Sequence, residues 1–344
     1  MKLSNFILII IYFVSNSLIA FDGKYLDTLL KTWELKNSNS TIVVITNPDS
    51  GEIEYVYNEK NAFFKKLPPG SIFKPLSALT MLSLNEKINV AMNEKFNCNG
   101  RYLEPKENFF TKSDLKKYNI QINEVDGKKY FKCSIEGGHG EVTMRKALSY
   151  SCNAFFLQTA YKHKSNFYTS FVNEWKLNEG TGASFERVVI STRVNLQPSS
   201  DFESMLTAIG DEGKIKVTAL KMAQIYGSIF ASTPILKPIL KGESPEQVSA
   251  FPYNEQLRSF IQQSLRGVVK EGTLKELALQ NSSIQILGGK TGTPTRDGKK
   301  FQTHGWNIIY FKKNENSYLL IVFTEKGTGR KEALNVSKTI LNSL

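Results

Sequence analysis

Within the stretch P-P-G-S-I-F-K-P-L, Pro68 to Leu76, a serine hydroxyl and a lysine amine stand three positions apart. At that spacing on a helix Ser71 and Lys74 share one face, so a hydroxyl that is a poor nucleophile in water gains a base beside it. The chemistry open to such a pair is attack on a carbonyl, leaving an acyl group on the serine. A second short run, G-G-K-T-G-T from Gly288 to Thr293, offers another lysine and two more hydroxyls. Its G-K-T is not a phosphate loop, which would need glycine where this chain has Ile284. Glycines at that place instead let backbone and ligand approach closely at the edge of a sheet. The histidines His139, His163 and His304 and the cysteines show no C-x-x-C or H-x-x-x-H spacing, so no metal site and no cofactor are expected.

These groups must be carried by a scaffold, and the flanking patterns describe one. Thr41–Thr46 (T-I-V-V-I-T) and Glu52–Tyr57 (E-I-E-Y-V-Y) read as a hairpin joined by N-P-D-S-G. Ile72 to Leu84 supplies the apolar pattern of the helix behind Ser71, with Pro75 in its first turn, where a missing N–H costs nothing. Residues 86 to 140 are lysine-rich and mixed, and read as an insertion or lobe. Thr143 caps M-R-K-A-L, and a helical pattern resumes at Asn153, which sets Ser151 and Cys152 between two helices or at the start of the second. Two more helices fall in residues 201–232, with Thr218 as a cap, and another over Tyr253–Lys270. I-Q-I-L, W-N-I-I-Y-F and Y-L-L-I-V-F-T then read as strands, followed by a helix near Arg330–Leu341. Strands at both ends with helices between require the terminal segments to meet in one sheet.

Met1 and Lys2, the apolar run Phe6 to Val14, and a small residue at Ser17 or Ala20 have the form of an export signal. The run is shorter than the roughly 20 residues that span a hydrocarbon core. Residues 1–20 are therefore expected to be a cleaved signal or a short membrane anchor, and 21–344 one domain. The formal charge of +12 suits work near anionic lipid headgroups or an acidic wall polymer, or simply reflects lysines solvating the surface. No arginine-rich stripe is interleaved with aromatics, so nucleic acid is not an expected partner. Cysteine use agrees with export: a disulfide between Cys98 and Cys133 is expected, worth about 4 kcal/mol by chain entropy. That leaves Cys152 as a packed, unpaired thiol.

Taken in order, Ser71-Ile-Phe-Lys74, Ser151-Cys-Asn153 and Lys290-Thr-Gly292 resemble the S-x-x-K, S-x-N and K-T-G motifs of the penicillin-binding D,D-transpeptidases and serine β-lactamases. The surroundings, N-P-D-S-G-E-I, G-H-G-E-V-T-M-R-K-A-L-S-Y, A-I-G-D-E-G-K and H-G-W-N among them, are similar to the class B type transpeptidase domain over about residues 40 to 340. The resemblance implies an α+β fold, a mainly antiparallel sheet flanked by helices with an all-helical lobe, and a cleft between them. It implies a catalytic set of Ser71, Lys74, Ser151, Asn153 and Lys290. Ser71 would attack the penultimate D-alanine of a D-Ala-D-Ala peptidoglycan stem peptide, and would equally be acylated by β-lactams. Thr291, Gly292 and Thr293 would bind substrate, and the N–H groups of Ser71 and Thr293 would form the oxyanion hole. His139 is expected to be structural.

The class B enzymes carry a long region ahead of this domain, and here a short segment precedes the first strand. The chain thus resembles a stand-alone catalytic module in the periplasm or on the outer face of the cell membrane, recruited by a cell-wall synthesis partner. Two alternatives share the acylation residues or the site: a D,D-carboxypeptidase or β-lactamase, and a non-enzymatic sensor of β-lactams or wall peptides. Asp211 and Glu212 stand where the family has a glycine- and glutamine-containing turn, and would alter the cleft rim or form a solvated loop.

Overall fold

The computed structural model describes residues 21–344 apart from 118–120, 123–126, 187–197, 199, 212–214, 278 and 295–302. The expected signal or anchor over 1–20 lies outside the described residues. Among the described residues no helix is long and apolar enough to cross a membrane.

The run T-I-V-V-I-T is buried at every position, as a strand is when both faces of its sheet are covered. Thr41–Thr46 pairs antiparallel with Ile53–Tyr57 on one side and with Asn316–Thr324 on the other, so that Val43 faces Tyr57 and Val322. Gly305–Lys313 and then Ile284–Gly292 complete a five-stranded antiparallel sheet, which joins the early hairpin to the late strands as the sequence requires. Ala219–Phe230 packs on two of the three inner strands, Thr41–Thr46 and Asn316–Thr324, and Glu255–Lys270 packs on Ile284–Gly292. Glu332–Ser343 packs on Asn316–Thr324 and Gly305–Lys313, with Gly23–Asn37 against it. That first helix has no counterpart in the sequence reading. Asp22 caps it by accepting from the Tyr25 N–H, and its Glu34 carboxylate accepts from both the N–H and the hydroxyl of Thr41.

The helix behind Ser71 runs from Lys74 to Ser83 and is buried from Lys74 through Leu82, the mark of a helix that is core on all sides. It packs against Asn153–Glu174, Glu255–Lys270 and Asp201–Ile209. Pro75 occupies its first turn, as expected, and a 3-10 turn, Gly70–Phe73, leads into it. Met144–Tyr150 follows Thr143, and the Thr218 hydroxyl accepts from the Lys221 N–H at the start of Ala219–Phe230. The lobe is not all-helical. Phe96–Cys98 pairs with Gly140–Val142, and Arg101–Leu103, Lys129–Lys132 and Gln121–Ile122 form a second small sheet. These strands are two to four residues long, too short for a period-two pattern to show in so lysine-rich a stretch.

Candidate active site

Ser71 lies in the 3-10 turn Gly70–Phe73, where its carbonyl accepts the Lys74 N–H, and it is partly exposed. The turn is clamped from three sides. Gly70 N–H donates to Gly210 O at 3.0 Å, Trp306 Nε1 donates to Pro68 O at 2.9 Å, and the Tyr226 hydroxyl donates to Ile72 O at 2.6 Å. Gly210 itself has φ 71°, and a Cβ on it would stand 2.1 Å from Gly70 O. Glycine is required there by both conformation and space.

Lys74 begins the buried helix and is fully buried. Its Nζ donates to Ser151 O at 2.7 Å, to Ser151 Oγ at 3.2 Å and to Asn153 Oδ1 at 2.6 Å. One residue supplies two of those acceptors because Ser151 adopts a left-handed conformation, φ 60°, between Met144–Tyr150 and Asn153–Glu174. That conformation costs a non-glycine residue about 1 kcal/mol, and it turns carbonyl and hydroxyl to the same amine. Lys290, on Ile284–Gly292, is also fully buried. Its Nζ donates to Ser151 Oγ at 3.0 Å and to Thr291 O at 2.9 Å.

Burial dominates the electrostatics. It pulls Lys74 down to about 8, with Arg330 adding to the effect while Cys133, Cys152 and Asp211 oppose it. It pulls Lys290 well below the ordinary lysine value, helped by the charges of Lys74 and Arg330. Asp211, following the Gly210 turn, is raised to about 6 by desolvation against the pull of Lys74. Two amines that hold their protons loosely thus share one hydroxyl, the arrangement a proton relay needs.

The remaining predicted residues divide. The end of Ile284–Gly292 packs on the Ser71 turn: a Cβ on Gly70 would meet Pro294 N at 2.8 Å, and one on Gly292 would meet Pro69 O at 3.1 Å. Ser71 and Thr293 are therefore brought side by side. The Thr293 hydroxyl accepts from the Gly329 N–H at 3.1 Å, which leaves its own proton to donate. Thr291 differs, because its hydroxyl donates to Thr273 Oγ1 at 2.7 Å in the interior. Thr273 N–H in turn donates to Ser149 O at 3.2 Å, so Thr291 ties the strand of Lys290 to the helix that ends at Ser151. Arg330, beside Gly329, belongs to no motif. Sequence reasoning missed it, and only its charge on Lys74 and Lys290 reveals it.

The family model described as penicillin binding protein transpeptidase domain matches residues 41–344. The chain belongs to the penicillin-binding protein transpeptidase family. It is a serine-type D,D-transpeptidase of the penicillin-binding class, with the α+β architecture of that family. Among solved structures, the transpeptidase domain of penicillin-binding protein 3 from Burkholderia pseudomallei is similar at a TM-score of 0.71 and 17% identity, covering 94% of each chain. PBP2 of Pseudomonas aeruginosa, solved with WCK 5153, is similar at 0.68 and 17%, over 92% of this chain and 74% of that one. PBP2 of Helicobacter pylori, solved in complex with MreC, is similar at 0.68 and 16%, over 92% of this chain and 62% of that one. No curated protein sequence matches the chain.

The cysteines of this penicillin-binding domain correct one expectation. Cys98, Cys133 and Cys152 are all free thiols, so the expected Cys98–Cys133 disulfide is absent. Cys133 Sγ is 3.7 Å from Cys152 Sγ, and Cys98 Sγ and Cys133 Sγ lie 3.5 and 3.6 Å from His139 Nδ1. The 3.7 Å between Cys133 and Cys152 is far beyond the disulfide bond length of about 2.05 Å. Together with His139 the three cysteines place their donor atoms within 4.8 Å of one another, a grouping that their spacing along the sequence does not show.

Proposed function

We propose that Ser71 is the nucleophile of this transpeptidase and that Lys74 is its base. The observation that carries the reading is the double contact on Ser151 Oγ, from Lys74 at 3.2 Å and Lys290 at 3.0 Å, with Lys74 opening the helix that follows the Ser71 turn. The neutral Lys74 amine takes the Ser71 proton as Oγ attacks the carbonyl of the penultimate D-alanine. Backbone N–H groups of Ser71 and Thr293 hold the oxyanion, where one donor is typically worth about 3 kcal/mol in the transition state. Collapse breaks the peptide bond. The leaving D-alanine amine receives its proton through Ser151, and an ester remains on Ser71. An amine from a neighbouring stem peptide then completes the cross-link. Asn153 orients Lys74, and Lys290 with the Thr293 hydroxyl receives the substrate carboxylate.

Hydrolysis is a second outcome of the same ester, and the acid to weigh for it is Asp211, which follows the Gly210 whose carbonyl accepts from the Gly70 N–H of the Ser71 turn and which desolvation raises to about 6. A carboxyl that exchanges its proton near neutrality can activate water. Intact-mass analysis of wild type and Ser71→Ala with a β-lactam tests the nucleophile: a one-to-one adduct is expected on the wild type alone. An adduct retained by Ser71→Ala would refute the assignment. Analysis of products from a D-Ala-D-Ala pentapeptide with and without an amine acceptor separates cross-linking from release of D-alanine, and rapid drug consumption would identify a β-lactamase.

The enzyme works on the extracytoplasmic side, and residues 1–20 serve as its export signal or anchor in the periplasm or at the membrane face. A cell-wall synthesis protein is its proposed partner. The structural likeness to a penicillin-binding protein solved with MreC supports such recruitment, and the charge of +12 suits an anionic surface.

A further inference from the structure

The ring nitrogen and three sulfurs that replace the expected disulfide come from three separate stretches of chain. Cys98 ends the strand Phe96–Cys98. Cys133 and His139 lie on the loop that follows Lys129–Lys132. Cys152 caps Asn153–Glu174. Backbone bonds fix the three stretches to one another: His139 N–H donates to Cys98 O at 3.0 Å, and Cys133 N–H donates to Gly100 O at 2.8 Å. Two left-handed glycines make room for these bonds. A Cβ on Gly138 would stand 2.1 Å from Cys98 O, and one on Gly100 would stand 2.0 Å from Glu136 O. Cys98 and Cys152 are buried, and Cys133 and His139 are half-buried. The His139 ring stacks on Tyr150 at 5.9 Å.

The spacings match a particular geometry. A tetrahedral zinc ion with bonds of about 2.3 Å to sulfur and 2.05 Å to nitrogen holds its sulfurs about 3.8 Å apart and its sulfur and nitrogen about 3.6 Å apart. The corresponding distances here are 3.7 Å for Cys133 and Cys152, and 3.5 and 3.6 Å from His139 Nδ1 to Cys98 and Cys133. These are three of the six edges of such a tetrahedron, and all four donor atoms lie within 4.8 Å of one another; packing of neutral side chains alone gives no reason for those three edges to match.

We propose that Cys98, Cys133, His139 and Cys152 form a structural site for a soft, tetrahedral divalent ion of the zinc class, which clamps the small strands of the lobe to the Ser151–Asn153 segment. All four positions are filled by protein, so the ion has no open face for water or substrate and acts by holding structure. Binding takes the cysteines as thiolates and releases their protons to solvent. Neutral imidazole binds through Nδ1. Cys152 stands between Ser151 and Asn153, the two residues that hold Lys74 Nζ. The ion therefore fixes the backbone from which Lys74 takes three of its acceptors. It also keeps three neighbouring thiols from pairing in an oxidising compartment.

The test uses the full mature chain, purified without chelator, and a readout independent of catalysis. Elemental analysis is expected to give about one zinc per chain, and replacement by Co²⁺ alone is expected to give the intense visible bands of a tetrahedral thiolate complex. Cys98→Ser and His139→Ala are expected to lower bound zinc to under one tenth per chain. Should either variant fail to fold, the Co²⁺ spectrum of the wild-type protein still decides. Two results would overturn the proposal: folded, reduced wild type taking up under one tenth of an ion from excess Zn²⁺, or an octahedral Co²⁺ spectrum without thiolate charge transfer. A mass lower by about 2 Da, from a Cys133–Cys152 disulfide in metal-free protein, would overturn it in favour of a bridge. β-Lactam labelling of Ser71, scored on the same samples, keeps a failed nucleophile assignment distinct from a failed metal assignment.

Discussion

Lys74 and Lys290 meet at a single hydroxyl, that of Ser151, with their amines 3.2 and 3.0 Å from its oxygen. Among the described residues neither has a carboxylate as a hydrogen-bond partner, and burial weakens the hold of both on their protons. With Lys74 as the base proposed above, its protonation is the variable on which acylation depends.

The pH profile follows in sign from that variable. A lysine serves as base only when neutral, and burial lowers Lys74 to about 8, so the competent fraction grows as pH rises through that value. Acylation by a fluorescent β-lactam is expected to climb about tenfold per pH unit below 8 and to level off above it. A rate flat from pH 6 to pH 10 would show that another group, or none, takes the proton.

Arg330 lies outside every motif but lowers both buried lysines through its charge. Arg330→Gln removes a cation beside the place where a substrate carboxylate would bind. KM for a carboxylate-ended peptide should rise about five- to tenfold, roughly 1 kcal/mol, with kcat nearly kept. Because a positive neighbour is gone, the acylation limb should also move to higher pH. An unchanged KM with a reduced kcat would place Arg330 elsewhere in the cycle.

At Gly210, φ is 71° and an added Cβ would stand 2.1 Å from Gly70 O. Gly210→Ala should cost about 2 kcal/mol or more through conformation and overlap, and it should displace the turn that carries Ser71. Urea unfolding and β-lactam labelling measured together are expected to show both losses. Full acylation in the variant would mean that the turn tolerates movement.

The Thr291 hydroxyl donates to Thr273 rather than facing the cleft. Thr291→Val should cost about 1 kcal/mol of stability, a fall in Tm of about 2 °C, while acylation stays within about threefold. A loss beyond thirtyfold would restore the substrate-binding role that its motif implies.

Much of this was readable from the chain because it is local. The spacing of Ser71 and Lys74, the strands Thr41–Thr46 and Ile53–Tyr57, and the break at Ser151 each depend on a few neighbouring residues. The two small lobe sheets were not readable, since strands of two to four residues carry no period. Nor was the cluster around His139: its members fall at positions 98, 133, 139 and 152, and the turns at Gly100 and Gly138 bring the first three together while Cys152 comes from the start of Asn153–Glu174. Arg330 reaches the lysines through the fold of the loop after Asn316–Thr324, which no motif marks. The Thr291 side chain shows a different limit, since its hydroxyl donates to Thr273. A motif names a residue without saying which way its hydroxyl points.

The order of strands in the large sheet bears on timing. Thr41–Thr46 is an inner strand, yet its second partner is Asn316–Thr324, and the strand bearing Lys290 joins the sheet only through Gly305–Lys313. Pairings so distant along the chain form slowly and late. Until Asn316–Thr324 has emerged, the nascent protein can make its hairpin and some helices, but the wall that holds Lys290 against Ser151 cannot exist. A chain threaded through a membrane in sequence order therefore arrives inert, and it becomes an enzyme only after its late strands have followed the early ones across.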